Sequence, residues 1–320
     1  MREPNVVVFG GSGFIGSHLL ALLAQDGIPA LVPTRHADRG RHLTTLPGVD
    51  VVEANIHDDL TLRKLLEGRT AAINLVGILH GSRAHPYGPE FRHAHVDLPR
   101  RIVEACQLAG VPRYLHMSAL GASVDGPSMY SRSKADGELA ARSRPEVAAT
   151  IFRPSVVFGP GDHFLTMFAK LQRRLPVVPL AGASVAFQPV YVGDVATAFL
   201  HALRDPHSAH QVYELGGPNI YTLAELVRLA GRYAGCERPI IELPPALARL
   251  QARIFELLPG EPILTRDNLD SMKVDNVLDP AVQDLTAASL GIKLTPLETV
   301  APHYLAPSEP LDRLRARAGR

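Results

Sequence analysis

The sequence predicts an α/β fold, in which a doubly wound parallel sheet carries a smaller C-terminal lobe. Short β-branched runs alternate with segments that have apolar residues at helical spacing, which is the pattern of parallel strands joined by helical crossovers. The composition, with 46% hydrophobic and 20% charged residues among 320, is that of a globular protein. A glycine-rich turn over residues 10–16 joins the first strand to the first helix. Together these observations set the fold class.

The first half of the chain supplies most of the predicted sheet. We place its strands at residues 6–9, 30–32, 49–52, 71–79, 114–117 and 147–152. We place the helices between them at residues 14–24, 58–66, 90–108 and 129–141. The run over 71–79 is predominantly apolar, as expected of a strand that is buried on both faces. The helix over 90–108 ends before Gly110, with Pro112 beyond it.

The second half is less regular and richer in proline and glycine. We predict that residues 1–157 form the first domain, together with a return segment near 186–204, and that 158–310 mostly form the smaller lobe. The four arginines of 311–320 make a basic tail, which we expect to be solvated. The predicted helix over 244–258 is amphipathic. Its apolar stripe consists of Leu247, Leu250, Ile254, Phe255 and Leu258. Such a stripe is commonly buried, and a docking face is the alternative.

Composition also excludes several classes of protein. The 33 basic and 32 acidic residues nearly cancel, so net charge gives no reason to expect a nucleic-acid partner. Two cysteines cannot form a disulfide framework. No apolar run approaches the ~20 residues that a spanning helix requires, and the N-terminus shows no signal peptide. We therefore expect a cytoplasmic protein.

The turn over residues 10–16 has the context of a dinucleotide-binding site, because it follows a strand and opens a helix. Gly10 permits the tight turn, Gly13 lets the backbone approach a pyrophosphate, and Gly16 lets the helix pack closely on the sheet. The amides of the helix N-terminus would hold the anion. The predicted cofactor-binding residues of this turn are Gly10, Ser12, Gly13, Phe14, Ile15 and Gly16. The predicted fold is therefore of the Rossmann type.

The residue that follows the second strand indicates which nucleotide binds. An acidic residue there would accept hydrogen bonds from a ribose 2′-hydroxyl, but the first carboxylate in this segment is Asp38. Arg35 stands 19 residues after Gly16, where the ribose-reading residue is expected. A guanidinium can bind a phosphate with two hydrogen bonds. We therefore predict NADP(H) in preference to NAD(H). The alternative is a solvated Arg35 that only stacks on the adenine.

Tyr130 and Lys134 stand four residues apart, on one face of a predicted helix. The ammonium would stabilise the phenolate, so the phenol could exchange a proton while hydride moves to or from the nicotinamide. Lys134 could also bond the nicotinamide ribose. We predict that Ser118, at the end of the preceding strand, orients the substrate oxygen, with Ser123 as the alternative. The smaller lobe would then be a substrate lobe. The alternative for the pair is an exposed surface helix.

These motifs resemble the extended and atypical short-chain dehydrogenase/reductases, the NAD-dependent epimerase/dehydratase superfamily. The resemblance covers roughly residues 5–235. It implies further cofactor contacts at Asn55, Ile56, Val76, Gly77, Pro154, Ser155, Val156 and Val157, besides Tyr130 and Lys134. Asn55 replaces the usual aspartate of the adenine-contacting segment. Ala119 stands where extended members have a catalytic serine or threonine.

Within this superfamily the chain most resembles the branch that contains the nucleotide-binding accessory subunit of respiratory complex I and its bacterial relatives. The stretches 118–122 and 257–277 carry that likeness. It leaves two hypotheses. The first is an NAD(P)H-dependent oxidoreductase with an unknown small-molecule substrate. The second is a non-catalytic NADP(H)-holding or assembly protein, docked peripherally on the inner membrane. Either would be a monomer or homodimer.

Fourteen histidines raise the question of a metal site. The tightest pair is His93 and His95, but residues two apart on a helix do not share a face. No cysteine or carboxylate cluster completes a tetrahedral ligand set. We therefore predict no metal.

Overall fold

The computed structural model describes residues 4–260, 262–279 and 285–307. The strands, in chain order, are β1 (Val6–Phe9), β2 (Ala30–Thr34), β3 (Val49–Glu53), β4 (Ala71–Asn74), β5 (Arg113–Met117), β6 (Ala148–Pro154), β7 (Val157–Phe158), β8 (Val178–Leu180), β9 (Ala186–Phe187), β10 (Val190–Tyr191), β11 (Val212–Leu215), β12 (Tyr221–Thr222) and β13 (Ile240–Glu242). The α-helices are α1 (Phe14–Gln25), α2 (Asp59–Leu66), α3 (Pro89–Phe91), α4 (Leu98–Ala109), α5 (Met129–Ala141), α6 (Phe164–Arg174), α7 (Val192–Arg204), α8 (Leu223–Tyr233), α9 (Pro245–Leu257), α10 (Arg266–Ser271) and α11 (Leu297–Leu305).

Seven of the described strands form one parallel sheet, in the order β11-β6-β5-β4-β1-β2-β3. β1 pairs with β2 on one side and with β4 on the other, and Val6 lies opposite both Ala30 and Ala71. The order of the strands reverses at this point. In open parallel sheets a ligand binds at the carboxyl ends of the strands that flank such a reversal. The predicted Rossmann-type fold is confirmed.

Helices cover both faces of the sheet. On one face Leu19, Leu20 and Leu23 of α1 pack with Phe199 of α7. On the other face α2, α4 and the end of α5 pack against the alternate residues of the same strands. The apolar residues at helical spacing supply both contacts, because each helix turns one stripe toward the sheet.

Three elements differ from the prediction. β4 ends at Asn74, because the Asn74 side chain accepts a hydrogen bond from the N–H of Val76 (3.1 Å) and turns the chain out of the sheet. The helix predicted over 90–108 contains a π-helical segment, Arg92–Asp97, between α3 and α4. The smaller lobe is predicted to take most of 158–310, whereas β11, which falls in that range, pairs with β6 and extends the central sheet.

The smaller lobe has a core of its own. Phe168 of α6, Leu226 and Val227 of α8 and Leu305 of α11 pack together there. Two small sheets, β13 with β8 and β12 with β9, complete it. The predicted basic tail lies outside the described residues. Within the described part, the structure contains no helix of the length and apolarity that crossing a membrane requires.

Candidate nucleotide and active site

Two glycines of the turn after β1 have no tolerance for a side chain. Gly10 has a φ of +77°, a left-handed conformation that favours glycine, and a Cβ there would lie 3.0 Å from the carbonyl carbon of Leu75. A Cβ on Gly16 would lie 2.4 Å from the carbonyl oxygen of Gly11. The first contact brings the turn against the chain leaving β4, and the second brings α1 against the turn. Both arise because the glycines allow this close approach.

The N-terminus of α1 opens onto the same turn. Its N-cap is Gly13, which is exposed and provides no side-chain cap. The N–H groups of Phe14, Ile15 and Gly16 belong to the first helical turn, where no intrahelical acceptor exists. Ser12 is half-buried beside them. This uncapped turn of backbone amides, with a glycine cradle that a Cβ would fill, fits a pyrophosphate group.

Arg35, Glu53, Ala54 and Asn55 line an open depression of about 350 Å³ at the carboxyl ends of β2 and β3. This is where the adenosine half of a dinucleotide lies in this fold. The Glu53 carboxylate accepts a hydrogen bond from the N–H of Ala37 (3.1 Å), which fixes the backbone two residues after Arg35. Glu53 is not among the residues predicted from the sequence. The signal that could have found it is an acidic residue at the end of β3, the neighbour of β2.

Tyr130 and Lys134 lie on α5, which starts with a capping box between Ser128 and Ser131. The ammonium of Lys134 donates a hydrogen bond to the carbonyl oxygen of Met117 (3.1 Å) and lies 5.8 Å from the centre of the Tyr130 ring. Burial lowers the pKa of Lys134 to about 8. Burial also raises the pKa of Tyr130 to about 12. At neutral pH the pair is therefore a phenol beside an ammonium.

The same ammonium faces the chain that leaves β4. A Cβ built on Gly77 would lie 3.3 Å from Nζ of Lys134. Val76 and Ile56 are half-buried, and Asn55 accepts a hydrogen bond from the N–H of His57 (3.0 Å). The structure thus brings the Tyr–Lys pair to the edge of the sheet on which the glycine turn lies.

His95, which the sequence analysis considered only as a metal ligand, connects these two segments. Its Nε2 accepts a hydrogen bond from the N–H of Ile78 (3.0 Å), so the neutral ring carries its proton on Nδ1. Nδ1 lies 2.9 Å from the hydroxyl of Ser133, which in turn donates to the carbonyl oxygen of Tyr130 (2.8 Å). Burial lowers the pKa of His95 to about 2, which keeps the ring neutral. The π-helical segment that places it leaves no sequence signal.

Ser118 serves a different network. Its hydroxyl donates to the carboxylate of Glu138 (2.6 Å), which is paired with the guanidinium of Arg153 (2.8 Å). Ser118 is buried, so its hydroxyl is committed to this carboxylate and is not presented to a substrate. The neighbouring Ala119 provides no hydroxyl, and Ser123 is exposed in the following turn.

The smaller lobe holds the start of α5. The carboxylate of Asp267, at the beginning of α10, accepts hydrogen bonds from the N–H groups of Met129 (2.7 Å) and Tyr130 (3.1 Å). Asp267 is buried. An acidic group at a helix N-terminus satisfies free amides and complements the helix dipole. Asp267 therefore fixes the backbone of Tyr130, and its separation of 137 residues hid it from sequence reasoning.

The predicted cofactor contacts at residues 154–157 run from the end of β6 into β7. The carbonyl oxygen of Pro154 accepts a hydrogen bond from the N–H of Leu120 (2.9 Å). Ser155 donates to the side-chain oxygen of Asn276 (2.6 Å), and the N–H of Val156 donates to the same oxygen (3.2 Å). Val157 is half-buried. Asn276 thus ties this segment to the lobe. Among the described residues, no group of three or more His, Cys, Asp or Glu side chains could hold a metal ion.

Comparisons with known proteins show the family of the chain. The NAD dependent epimerase/dehydratase family matches residues 6–216. NADH dehydrogenase [ubiquinone] 1 alpha subcomplex subunit 9 of Mus musculus is 33% identical over an alignment of 303 residues, and the alignment covers 91% of this chain and 77% of the relative. A ceramide reductase of Caulobacter vibrioides is 29% identical over 239 residues, which are 75% of this chain and 73% of the relative.

Solved structures share the fold. The dTDP-glucose 4,6-dehydratase DesIV from Streptomyces venezuelae, solved with NAD and TYD bound, superposes with a TM-score of 0.72 and 18% identity, covering 94% of this chain and 95% of that one. This likeness supports the fold alone. The family match spans most of the chain, and the parallel strand order agrees with it. The chain belongs to the NAD dependent epimerase/dehydratase family and has its NAD-binding Rossmann fold.

Proposed function

We propose that this protein is an NAD(P)H-dependent reductase in which Tyr130 transfers the proton and Lys134 supports it. The observation that carries the proposal is the position of the Lys134 ammonium. It lies between the carbonyl of Met117 and the Tyr130 ring, beside the Gly77 backbone that leaves β4. Burying an ammonium is costly. Hydrogen bonding to a nucleotide ribose and stabilisation of the Tyr130 phenolate would account for a buried ammonium at this position.

Lys134 and the Gly77 backbone would hold the nicotinamide ribose, and the bound nicotinamide would be the source of hydride for the carbon of a substrate carbonyl. Tyr130 supplies the proton to the oxygen of that carbonyl. With a pKa near 12 the phenol is protonated at neutral pH, so the resting state is the acid that a reduction needs. Lys134 is charged below about pH 8 and stabilises the phenolate that the transfer leaves. His95 and Asp267 hold the backbone of Tyr130 in place.

For the nucleotide we propose NADP(H), with NAD(H) as the alternative. The guanidinium of Arg35 lines the adenosine depression and could bind a 2′-phosphate with two hydrogen bonds. Glu53 lines the same depression, and its carboxylate would repel that phosphate. Selectivity therefore depends on two opposite charges. We expect it to favour NADP(H) only moderately.

A second candidate function is a non-catalytic, NADP(H)-holding protein, and one specific observation favours it. Ser118 donates to Glu138 and Ala119 has no hydroxyl, so neither residue orients a substrate oxygen. Losing such a donor weakens catalysis while leaving nucleotide binding intact. The mouse relative is named as a subunit of NADH dehydrogenase. By analogy this protein would be a cytoplasmic accessory component, peripheral to the inner membrane.

One experiment separates the two functions without a substrate. The protein is denatured as purified, the released nucleotide is identified by mass spectrometry, and exchange of the bound nucleotide with labelled NADPH is timed in the intact protein. An empty or rapidly exchanging site supports the reductase, because an enzyme that uses NADPH as a cosubstrate must release the oxidised form each turn. Stoichiometric nucleotide that exchanges over hours would overturn the reductase and support the holding role. Release of NAD(H) would overturn the proposed preference.

A further inference from the structure

Helix α9 has its apolar residues on the solvent side. Its buried residues are Ala248 and Ala252. Its large aliphatic side chains are exposed, with exposed fractions of 52% for Leu247, 54% for Leu250, 50% for Ile254 and 80% for Leu257. Leu258, the residue that follows the helix, is 56% exposed. The sequence expectation that this stripe is buried in the lobe is therefore wrong for four of its five residues, Leu247, Leu250, Ile254 and Leu258, and Leu257 is exposed beside them. Phe255 is half-buried.

The arrangement follows from helical geometry. At about 100° per residue, Leu247, Leu250 and Ile254 lie close together around the axis, on the side away from Ala248 and Ala252. We call these exposed side chains the α9 stripe, which consists of Leu247, Leu250, Ile254, Leu257 and Leu258. A contiguous aliphatic stripe that faces water marks a contact with a partner or a membrane.

The charges beside the stripe indicate the kind of surface it fits. Arg249 and Arg253 lie one turn apart along one border of the stripe, and both are exposed. The guanidinium of Arg249 lies 3.8 Å from the carboxylate of Asp270 on α10, and both arginine side chains keep their guanidinium groups at the surface. The acidic residue of α9, Glu256, is engaged with Arg266 of α10 (2.8 Å). The border is thus cationic and the stripe is aliphatic. Protein interfaces concentrate Trp, Tyr and Arg at their centres, whereas aliphatic residues bordered by arginine suit an anionic lipid surface.

We propose that the α9 stripe docks on an anionic lipid bilayer, with the helix in the plane of the headgroups. A helix of 13 residues is about 20 Å long, too short to cross the ~30 Å hydrocarbon core. Arg249 and Arg253 would meet lipid phosphates. Because α10 joins α9 through Arg266 and reaches the amide of Tyr130 through Asp267, docking brings the Tyr130 helix close to the bilayer. The proposal does not depend on catalysis.

The test is co-sedimentation of the full chain with vesicles, one set of phosphatidylcholine alone and one with half phosphatidylglycerol. We expect sedimentation with the anionic set, weakened by salt. The double variant Leu250→Gln/Ile254→Gln should bind roughly tenfold or more weakly, because it loses buried aliphatic area. Leu60→Gln/Leu108→Gln, which changes side chains that are 71% and 68% exposed elsewhere, is the matched control and should bind like wild type.

Equal sedimentation of wild type and the α9 variant would overturn the proposal, since another part of the chain would then bind the vesicles. Absence of sedimentation would also overturn it. A third contradicting result is a homodimer, detected by light scattering, that the α9 variant dissociates while vesicles have no effect. Unchanged thermal unfolding of both variants shows that each is folded. NADPH affinity is measured on the same samples. Loss of vesicle binding with unchanged NADPH affinity concerns the docking proposal only, and absence of NADPH binding concerns the proposed reductase function only.

Discussion

Nε2 of His95 accepts a hydrogen bond from the N–H of Ile78 at 3.0 Å, so a side chain before α4 is fastened to the chain that leaves β4. Its other nitrogen reaches Tyr130 through Ser133. The two segments that would hold the nicotinamide ribose and the reacting phenol are therefore connected by one neutral imidazole. A proton on Nε2 would remove the acceptor that makes the connection.

This connection predicts sensitivity to acid. Burial lowers the pKa of His95 from 6.5 to about 2, so the unfolded chain binds a proton that the folded protein does not. The contribution of neutral His95 to the free energy of unfolding should be fully present above pH 6.5. Below pH 6.5 the free energy of unfolding should fall, by up to about 1.4 kcal/mol per pH unit from His95. In urea unfolding from pH 8 to 4.5, His95→Gln should flatten this dependence. His207→Gln, at an exposed position, is the control. A slope that His95→Gln leaves unchanged would contradict the assignment.

The Tyr–Lys pair predicts the pH profile of turnover. Tyr130→Phe should reduce turnover by about a thousandfold while NADPH affinity stays nearly constant. Because burial lowers the pKa of Lys134 to about 8, reduction should be constant near pH 7 and decline above pH 8 as the ammonium loses its proton. Lys134→Arg should remove that decline, since a guanidinium stays protonated. Steady-state rates of NADPH oxidation measure each effect, and Tyr130→Phe with wild-type turnover would exclude the mechanism.

Nucleotide selectivity depends on Arg35 and Glu53. Arg35→Ala should weaken NADPH binding by about tenfold or more and change NADH binding little, because only NADPH has the 2′-phosphate. Glu53→Gln should strengthen NADPH binding, since an amide still accepts the hydrogen bond from Ala37 but carries no charge. Fluorescence titrations with both nucleotides measure these changes. Equal losses for NADPH and NADH in Arg35→Ala would show that Arg35 does not read the phosphate.

Asp267 is expected to position the phenol from the smaller lobe. Asp267→Asn removes the charge and leaves one oxygen for two amides, which should lower stability by about 1–2 kcal/mol. We also expect kcat to fall in Asp267→Asn, because the Tyr130 phenol shifts. The NADPH dissociation constant should stay the same, because the glycine turn does not move. Asp50→Asn, at an exposed position away from the site, is the control. If kcat is preserved when stability falls, Asp267 acts on the fold alone.

The chain dictates the local parts of this site. Gly16 allows α1 to pack against the turn at Gly11, a contact within one strand–turn–helix unit, and the left-handed Gly10 allows the tight turn that begins this unit. The spacing of Tyr130 and Lys134 places both on one helix face. The alternation of strands and helices determines the parallel sheet, because crossover connections offer few other arrangements.

The tertiary structure decided everything that depends on distant segments meeting. Glu53 reaches the loop of Arg35 because β2 and β3 are neighbours. Asp267 caps a helix 137 residues earlier, and Ser118 is directed to Glu138 rather than to a substrate. Periodicity identified the stripe of α9, but a periodic pattern does not say which side of a helix meets its neighbour. Two alanines pack there and leave the leucines in water, because small side chains allow the helix to approach the lobe closely.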